Sequence, residues 1–352
     1  MKKILALTLA LCMVFALCAC GQKAAAPAAA PEAAPAAAEA PAAAEAPAKT
    51  TDFPNGPIRF VVQYGAGGGV DVTARLVAKY AEKYLGQNIV VENVTGGGGV
   101  VGQTELANSA PDGYTIGMIF ANTAIESLIT EGVTYSLDSF QPVCQVNFDP
   151  AMMVVRAGSE YDVTLDELCD MTRKTPLNCA IGALWQAFDF VKMTLQADYD
   201  APFTRVAYDG GAAACTAVVS GDADLAIIFP NEWVSYYNTG DLKGVGVAAP
   251  DRLTAFPDVP TFKEQGYDKI ESFGVRRVLV VPAGTDPEIV SILEDAFLKA
   301  LADPDLVKEF ADLGMSCVPA TGAEAKANLE AESKVLASLI EGFGVKPGDS
   351  PT

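Results

Sequence analysis

The stretch with the clearest chemical potential is a glycine-rich loop, YGAGGGVD, from Tyr64 to Asp71, which follows the apolar run IRFVV. A strand, a glycine turn and a helix start in succession leave backbone N–H groups uncovered. Such groups, at the positive end of a helix dipole, bind anions. The loop therefore predicts a carboxylate site that needs no arginine. A tight turn that only packs the helix on the strand is the alternative. A valine at Gly68 is expected to cover the amides and to resist a positive φ.

Nucleotide chemistry does not fit this loop. A dinucleotide fingerprint needs GxGxxG, and counting from Gly65 the third glycine is replaced by Val70. A phosphate P-loop ends in GK followed by Ser or Thr, whereas this loop ends in GVD. The remaining candidates are an anion site of another kind and a purely structural turn.

Asp71 has two possible roles in the loop. As an acid in the first turn of a helix it favours the helix start and can pair with Arg75, four residues on. As a cleft residue it would bind an amine, a hydroxyl or a water of the ligand. The residue types alone leave both roles open.

The composition argues against an enzyme. The chain has no histidine, which removes histidine triads, bases and metal ligands. A hydrolase that uses Asp71 or a cysteine, with the loop as an oxyanion hole, lacks a visible base. We expect neither a metal nor another cofactor. After Cys20, five cysteines are widely spaced without a CxxC pair, so we expect buried free thiols and leave one bridge open: Cys144, Cys169, Cys179, Cys215 and Cys317.

The N-terminus has the features of a bacterial lipoprotein. Residues 1–19 form a signal peptide with two lysines and an apolar stretch, and Leu17-Cys18-Ala19-Cys20 resembles a lipoprotein cleavage box. Cys20 is then the lipidated anchor, on the outer side of the cell membrane; an ordinary signal peptide is the alternative. Residues 20–52 are an Ala/Pro-rich linker. The net charge of −20 disfavours nucleic acid as a partner.

From residue 57 onward, short apolar runs alternate with amphipathic segments. This alternation predicts an α/β fold with a parallel sheet that helices cover on both faces. A threonine at 164 with a glutamate three residues later predicts a capping box. The predicted strands are 58–64, 88–93, 114–120, 151–156, 177–182, 203–208, 223–229 and 275–284, and the main predicted helices are 70–85, 164–174, 288–302 and 324–343.

Six stretches in this order carry a resemblance to a known family. They are PIRFVVQYGAGGGVDVTAR, LGQNIVVENVTGGGGVVG, APDGYTI, VAYDGGAAACTAVVSGDADLAI, FPDVPTFKEQGY and VPAGTDPEIVSILEDAFLKALADP. Over nearly all of residues 54–345 the chain resembles the Bug-family extracytoplasmic solute-binding receptors of tripartite tricarboxylate transporters. The resemblance implies a monomer with a type II periplasmic-binding-protein fold, in which crossover strands join two α/β lobes around a ligand cleft. Lobe 1 would comprise 53–150 and 276–352, and lobe 2 would comprise 151–275.

The same resemblance implies which loops border the cleft. Two departures from the family stand out: Asp209 occupies a position where many members carry lysine, and Trp185 and Phe188 lie where small hydroxyl residues and a histidine are usual. The expected ligand-binding residues are Tyr64, Gly65, Ala66, Gly67, Gly68, Gly69, Asp71, Asn122, Thr123, Ala183, Leu184, Trp185, Tyr208, Asp209 and Gly210.

The function implied is capture of a small organic anion, a carboxylate, and its delivery to membrane permease subunits. A sensory co-receptor for a signalling system is the alternative. Because of Asp209 and the aromatic residues, we expect a monoanionic or zwitterionic ligand to bind better than citrate and other tricarboxylates. Trp185 has a further alternative, which is to pack beneath the lobe 2 helix.

Overall fold

The structure is a computed structural model that describes residues 51–182, 185–208 and 210–349. The predicted signal peptide, Cys20 and nearly all of the linker lie outside the described residues, as do Ala183, Leu184 and Asp209. Within the described ranges, no helix has both the length and the apolar character needed to cross a membrane.

The regular elements alternate along the chain much as the sequence predicts. The strands are β1 (Ile58–Val62), β2 (Ile89–Asn93), β3 (Thr115–Ile119), β4 (Phe140–Pro150), β5 (Met152–Arg156), β6 (Asn178–Ile181), β7 (Thr204–Ala207), β8 (Leu225–Ile228), β9 (Leu242–Val247), β10 (Gly274–Pro282) and β11 (Cys317–Thr321). The α-helices are α1 (Gly69–Leu85), α2 (Val100–Ala107), α3 (Glu126–Ile129), α4 (Leu165–Lys174), α5 (Ala187–Tyr199), α6 (Gly211–Ser220), α7 (Pro230–Thr239), α8 (Pro287–Leu301), α9 (Pro304–Asp312) and α10 (Gly322–Gly342).

The strands form two sheets rather than one. The first has the order β11-β4-β10-β3-β1-β2, and the second has the order β7-β6-β8-β5-β9. Both are mixed: β10 runs antiparallel to β3 and β4, and β5 runs antiparallel to β8 and β9. The expectation of a wholly parallel sheet is therefore wrong. The physical reason is that β5 and β10, the strands that enter a sheet directly after a crossing, come in from the opposite end.

The chain crosses between the sheets at two adjacent points. Ala151 alone separates β4 from β5, and residues 248–273 separate β9 from β10. The Ala151 N–H donates to the Phe273 carbonyl at 2.8 Å, and the Ala248 N–H donates to the Ala151 carbonyl at 2.8 Å. The two crossings are thus bonded to each other, which confirms two α/β lobes joined by crossover strands.

Local sequence explains the helices that position the site. Helix α1 buries one face, including Val77, Ala78 and Ala81, and ends at Gly86 in the left-handed conformation with φ 68°. Burial of such apolar side chains stabilises the fold by about 25 cal/mol per Å². The capping box of α4 is confirmed, because Thr164 and Glu167 exchange hydrogen bonds.

The cysteines behave as buried apolar residues. The five that lie within the described ranges are free, and four of them are buried. Burial raises the pKa of Cys179 and of Cys215 to about 12, so both thiols stay protonated at neutral pH. This confirms the expectation of free thiols.

Candidate ligand-binding cleft

A cavity of about 240 Å³ lies between the two sheets, where the carboxyl ends of parallel strands from both lobes meet. Ligands of open α/β sheets bind at this edge. Its size suits a small organic molecule. The described residues that line it are Tyr64, Gly68, Gly69, Val70, Phe120, Gly182, Gln186, Phe188, Gly210, Gly211, Phe229, Asn231, Glu232, Val275 and Arg277.

The glycine loop forms the lobe 1 edge of this cavity. No side chain among the described residues caps α1, so by helix geometry its first-turn amides have no partner within the helix. The residue with positive φ is Gly67, at 81°, whereas Gly68 has an extended conformation with φ −72° and ψ 163°. The expectation of a positive φ at Gly68 is therefore wrong, because the turn reverses one residue earlier. Gly65 and Ala66 are exposed and lie outside the lining.

Asp71 supports the loop from within. It is buried, and it accepts hydrogen bonds from the Gly67 amide at 2.9 Å, from Arg75 Nε at 3.0 Å and from Asn93 Nδ2 at 2.9 Å. Burial acts to raise the pKa of Asp71, but these hydrogen bonds outweigh it and hold the pKa below its ordinary value. The predicted pairing with Arg75 is confirmed. Both oxygens of the Asp71 carboxylate already accept hydrogen bonds within the protein, and Asp71 does not line the cavity.

A buried cation faces the glycine loop, and the sequence interpretation missed it. Arg277, on β10, is 2 % exposed and forms an ion pair with the fully buried Asp149. Its Nε has no hydrogen-bond partner among the described residues. A methyl group on Gly69 would lie 2.8 Å from Arg277 Nη2, so the guanidinium reaches the first turn of α1. The anion site that the sequence predicts would thus combine backbone amides with an arginine.

Tyr64 adds a neutral hydroxyl to the same end of the cavity. Burial raises the pKa of Tyr64 well above its ordinary value, and the charge of Glu126 adds to that rise. The nearby side chain of Gln186 and the charge of Arg277 lower the pKa in part. The phenol therefore keeps its proton and can donate a hydrogen bond to an anion.

The lobe 2 edge carries a carboxylate. The Gly211 N–H donates to Glu232 Oε1 at 3.2 Å, and the Phe229 N–H donates to Glu232 Oε2 at 2.8 Å. Burial raises the pKa of Glu232, which the two amides and Arg277 lower only in part. Next to it, the buried Oδ1 of Asn231 has no hydrogen-bond partner within the described chain. This edge presents hydrogen-bond acceptors to the cavity.

Aromatic side chains form the walls between the two edges. Phe188 packs on Phe229 with ring centroids 4.3 Å apart, and Tyr64 lies 6.1 Å from Phe120. These rings offer an apolar surface to the middle of a ligand. Of the two aromatic residues that depart from the family pattern, the structure places Phe188 in the wall.

Trp185 lies outside the lining of the cavity. It is buried, its backbone has a positive φ of 55°, and its Nε1 donates to the carbonyl of Asp349 at 3.3 Å. Trp185 therefore packs the loop before α5 against the C-terminal segment. A ligand contact of Trp185 stays a prediction.

Three other predicted residues are placed around the cavity rather than in it. Thr123 is buried and donates to Gln103 Oε1 at 2.7 Å, and Tyr208 packs against the lobe 2 core. Asn122 lines a second cavity of about 260 Å³, which also contacts Phe120 and Gln186. In that second cavity Asp268, Glu271 and Glu332 outnumber one lysine, Lys269, so we favour the first cavity as the anion site.

A signal for both missed residues exists in the sequence. VRRVLVV places two adjacent arginines in an apolar strand, and alternation requires that one of them face inward. Glu232 lies three residues after the run ADLAIIF, beyond the carboxyl end of a parallel strand. The spacing alone does not show that these two residues share one cavity.

Comparisons with known proteins show the family to which the chain belongs. Residues 73–345 match the tripartite tricarboxylate transporter family receptor. Protein BugT of Bordetella pertussis is 29% identical over 299 residues, which cover 84% of this chain and 91% of BugT. The "UPF0065 protein in gbd 5'region" of Cupriavidus necator is 31% identical over 279 residues, which cover 76% of this chain and 81% of that protein.

Solved structures with the same architecture include two from this family of receptors. A TctC solute binding protein from Polaromonas, without ligand, has a TM-score of 0.70 and 28% identity, covering 82% of this chain and 99% of its own. MatC from Rhodopseudomonas palustris, with bound malate, has a TM-score of 0.69 and 27% identity, and the match covers 82% of this chain and 100% of MatC. The chain therefore belongs to the Bug-type receptors of tripartite tricarboxylate transporters, which are periplasmic solute-binding proteins of two lobes.

Proposed function

We propose that this chain captures a small organic molecule by its carboxylate between the two lobes and delivers it to a membrane permease. The observation that carries the proposal is the combination of the open first turn of α1 with Arg277, whose Nε has no partner within the described residues. A hydrogen bond to a charged group contributes about 1.5–3 kcal/mol net, so a few such donors suffice for micromolar binding.

The family supports the same reading. MatC, which shares 27% of its residues with this chain, was solved with bound malate, a carboxylate. In this chain the first-turn amides of α1, Arg277 and the hydroxyl of Tyr64 bind the ligand carboxylate in the proposed complex. Closure of the lobes then removes the ligand from water, and the closed form is what a permease would recognise.

The remaining parts of the proposal concern organisation. Lobe 1 comprises 53–150 and 276–352, lobe 2 comprises 151–275, and a lipidated Cys20 holds the monomeric receptor to the membrane through the linker. The proposal is a binding role rather than catalysis, because the family model and the TctC structure that this chain matches are solute-binding receptors.

A direct test starts from the ligand itself. Mass spectrometry of small molecules that co-purify with the receptor identifies the ligand, and calorimetry then measures its affinity. Arg277→Lys keeps the charge but loses the planar fork, so we expect at least a tenfold weaker affinity. Arg276→Lys is the matched control, because Arg276 points to the other face of β10 and pairs with Glu332 at 2.7 Å. Equal losses in both variants would refute the assignment of Arg277.

A further inference from the structure

The two helix starts that face each other across the cavity are not equivalent. At α1 the first-turn amides are uncovered and Arg277 lies against them. At α6 the N-cap Gly210 has no side chain, but the first amide of the helix, that of Gly211, already donates to Glu232. One end of the cavity is open to an anion, and the other end is filled by the protein's own carboxylate.

The position of Glu232 is built into the backbone. A methyl group on Gly211 would lie 2.1 Å from the Glu232 carboxyl group, too close for any real contact, so glycine at 211 leaves the room that this carboxylate occupies. Gly182 meets the same constraint, because a methyl group there would lie 2.5 Å from the carbonyl carbon of Gly210. The carboxylate is also tied to the start of its own helix through the Phe229 amide at 2.8 Å. These two backbone hydrogen bonds hold the carboxylate at the start of α6, where an incoming anion would otherwise bind.

A second acceptor lies beside Glu232. The Oδ1 of Asn231 is buried and has no hydrogen-bond partner in the described chain, and Asn231 lines the same cavity. A carboxylate and an amide oxygen together match a group that donates several hydrogen bonds and carries positive charge. A protonated amine has both properties, whereas a second carboxylate has neither.

We infer that Glu232, with Asn231, selects ligands that bring a protonated amine to the lobe 2 edge, so that the receptor takes a zwitterion of the amino acid class rather than a dicarboxylate. This inference rests on the proposed function, because the ligand carboxylate occupies the α1 end. The phenylalanine walls, Phe188 and Phe229, then contact the carbon chain between the two charged groups.

A matched ligand panel tests the inference on the wild-type receptor. Each ω-amino acid from glycine to 6-aminohexanoate is compared, by calorimetry and thermal shift, with the diacid and the monoacid of equal chain length, and α-amino acids are included. We expect the best amino acid to bind at least tenfold more tightly than its matched diacid. A diacid that binds as well as or better than every amino acid would overturn the inference.

Variants assign the preference to Glu232. Glu232→Gln is expected to reduce the ratio of amino acid to diacid affinity at least tenfold. Glu167→Gln is the control, because Glu167 is likewise bonded to the N-cap amide of its helix, at 2.9 Å, but lies outside the cavity. An unchanged ratio in Glu232→Gln also overturns the inference. If Glu232→Gln does not fold, the wild-type ratio alone decides.

The panel also separates this inference from the proposed function. Diacids and monoacids that bind in an Arg277-dependent way, without preference for amino acids, would leave carboxylate capture standing and remove the role of Glu232. A wild-type receptor that binds no carboxylate of any of the three series would remove both.

Discussion

The guanidinium of Arg277 lies against the backbone of Gly69, so closely that a single methyl group on that glycine would come within 2.8 Å of Nη2. The two residues are 208 positions apart in sequence. Their contact joins β10 to the first turn of α1 and creates the only strongly cationic corner among the described residues that line the cavity.

Gly69→Ala tests this contact. Because the new methyl group must displace the guanidinium, we expect the affinity for the ligand to fall about tenfold or more, which corresponds to about 1.4 kcal/mol. Calorimetry measures it. Gly342→Ala is the control, since it is also a helical glycine but has no atom within 4 Å of the added methyl group. Unchanged affinity in Gly69→Ala would show that the ligand does not use this corner.

The stability of the fold should depend on pH through Glu126. This residue is 5 % exposed, accepts hydrogen bonds from Gln103 and Tyr135, and lies near Tyr64, whose pKa its charge raises. Burial raises the pKa of Glu126 to about 7, from an ordinary value of 4.5. Between these two pH values the folded state binds more protons than the unfolded state, so the free energy of unfolding falls as pH rises.

At about 1.4 kcal/mol per pKa unit, Glu126 accounts for a loss of roughly 3 kcal/mol between pH 4.5 and pH 8. Glu126→Gln should remove this part of the pH dependence, as denaturant titrations at several pH values will show. Glu324→Gln, an exposed helix cap, should leave the dependence as it is in the wild type. A Glu126→Gln curve that parallels the wild type would contradict the prediction.

Trp185 should matter for stability more than for binding. Its Nε1 holds the carbonyl of Asp349, and the neighbouring Gly348 amide donates to the Ile129 carbonyl at 3.0 Å. Trp185→Phe loses the N–H donor and part of the buried indole volume, so we expect at least about 1 kcal/mol lower stability and faster hydrogen exchange at Gly348. The ligand affinity should change less than threefold. A tenfold loss of affinity would instead place Trp185 in the site, as the resemblance to the family suggested.

The membrane anchor can be tested independently of the cleft. Cys20→Ser should abolish labelling by radioactive palmitate and release the receptor from the membrane fraction, because a single thiol carries the lipid. Cys18→Ser leaves that thiol in place and should be labelled normally, provided that the cleavage box tolerates serine. Equal label on the wild type and on Cys20→Ser would show that the chain is not a lipoprotein of this kind.

Local patterns predicted the elements well, because their causes are local. The Thr164–Glu167 capping box and the start of a new block near residue 275 both follow from neighbouring residues, and both are found. The direction of strands next to the crossings did not follow, since pairing partners such as β4 and β10 are far apart in sequence. The glycine loop indicated an anion site, but its φ angles depend on where the turn reverses, which placed the positive φ at Gly67.

The charged residues of the cavity escaped prediction for a related reason. Arg277 and Glu232 resemble ordinary surface residues until the sheets bring them to one cavity. The polarity of that cavity depends on long-range pairing, whereas the position of each loop depends on nearby turns. Resemblance to the family indicated which loops border the cleft. The three-dimensional arrangement was needed to find that Arg277 and Glu232, of opposite charge, line the same cavity.

The ion pair between Asp149 and Arg277 lies beside the point where the chain leaves one sheet for the other, and Asp149 is three residues before β5 begins. A ligand anion that binds Arg277 would share the guanidinium with Asp149. It would therefore weaken or rearrange the ion pair that lies beside the crossing at Ala151. We therefore expect ligand binding to change the stability of this crossing between the sheets as well as to bridge the lobes. Hydrogen exchange at Ala151, whose amide is bonded to Phe273, gives a direct readout: protection that is the same with and without ligand would mean that the crossing does not respond to the ligand.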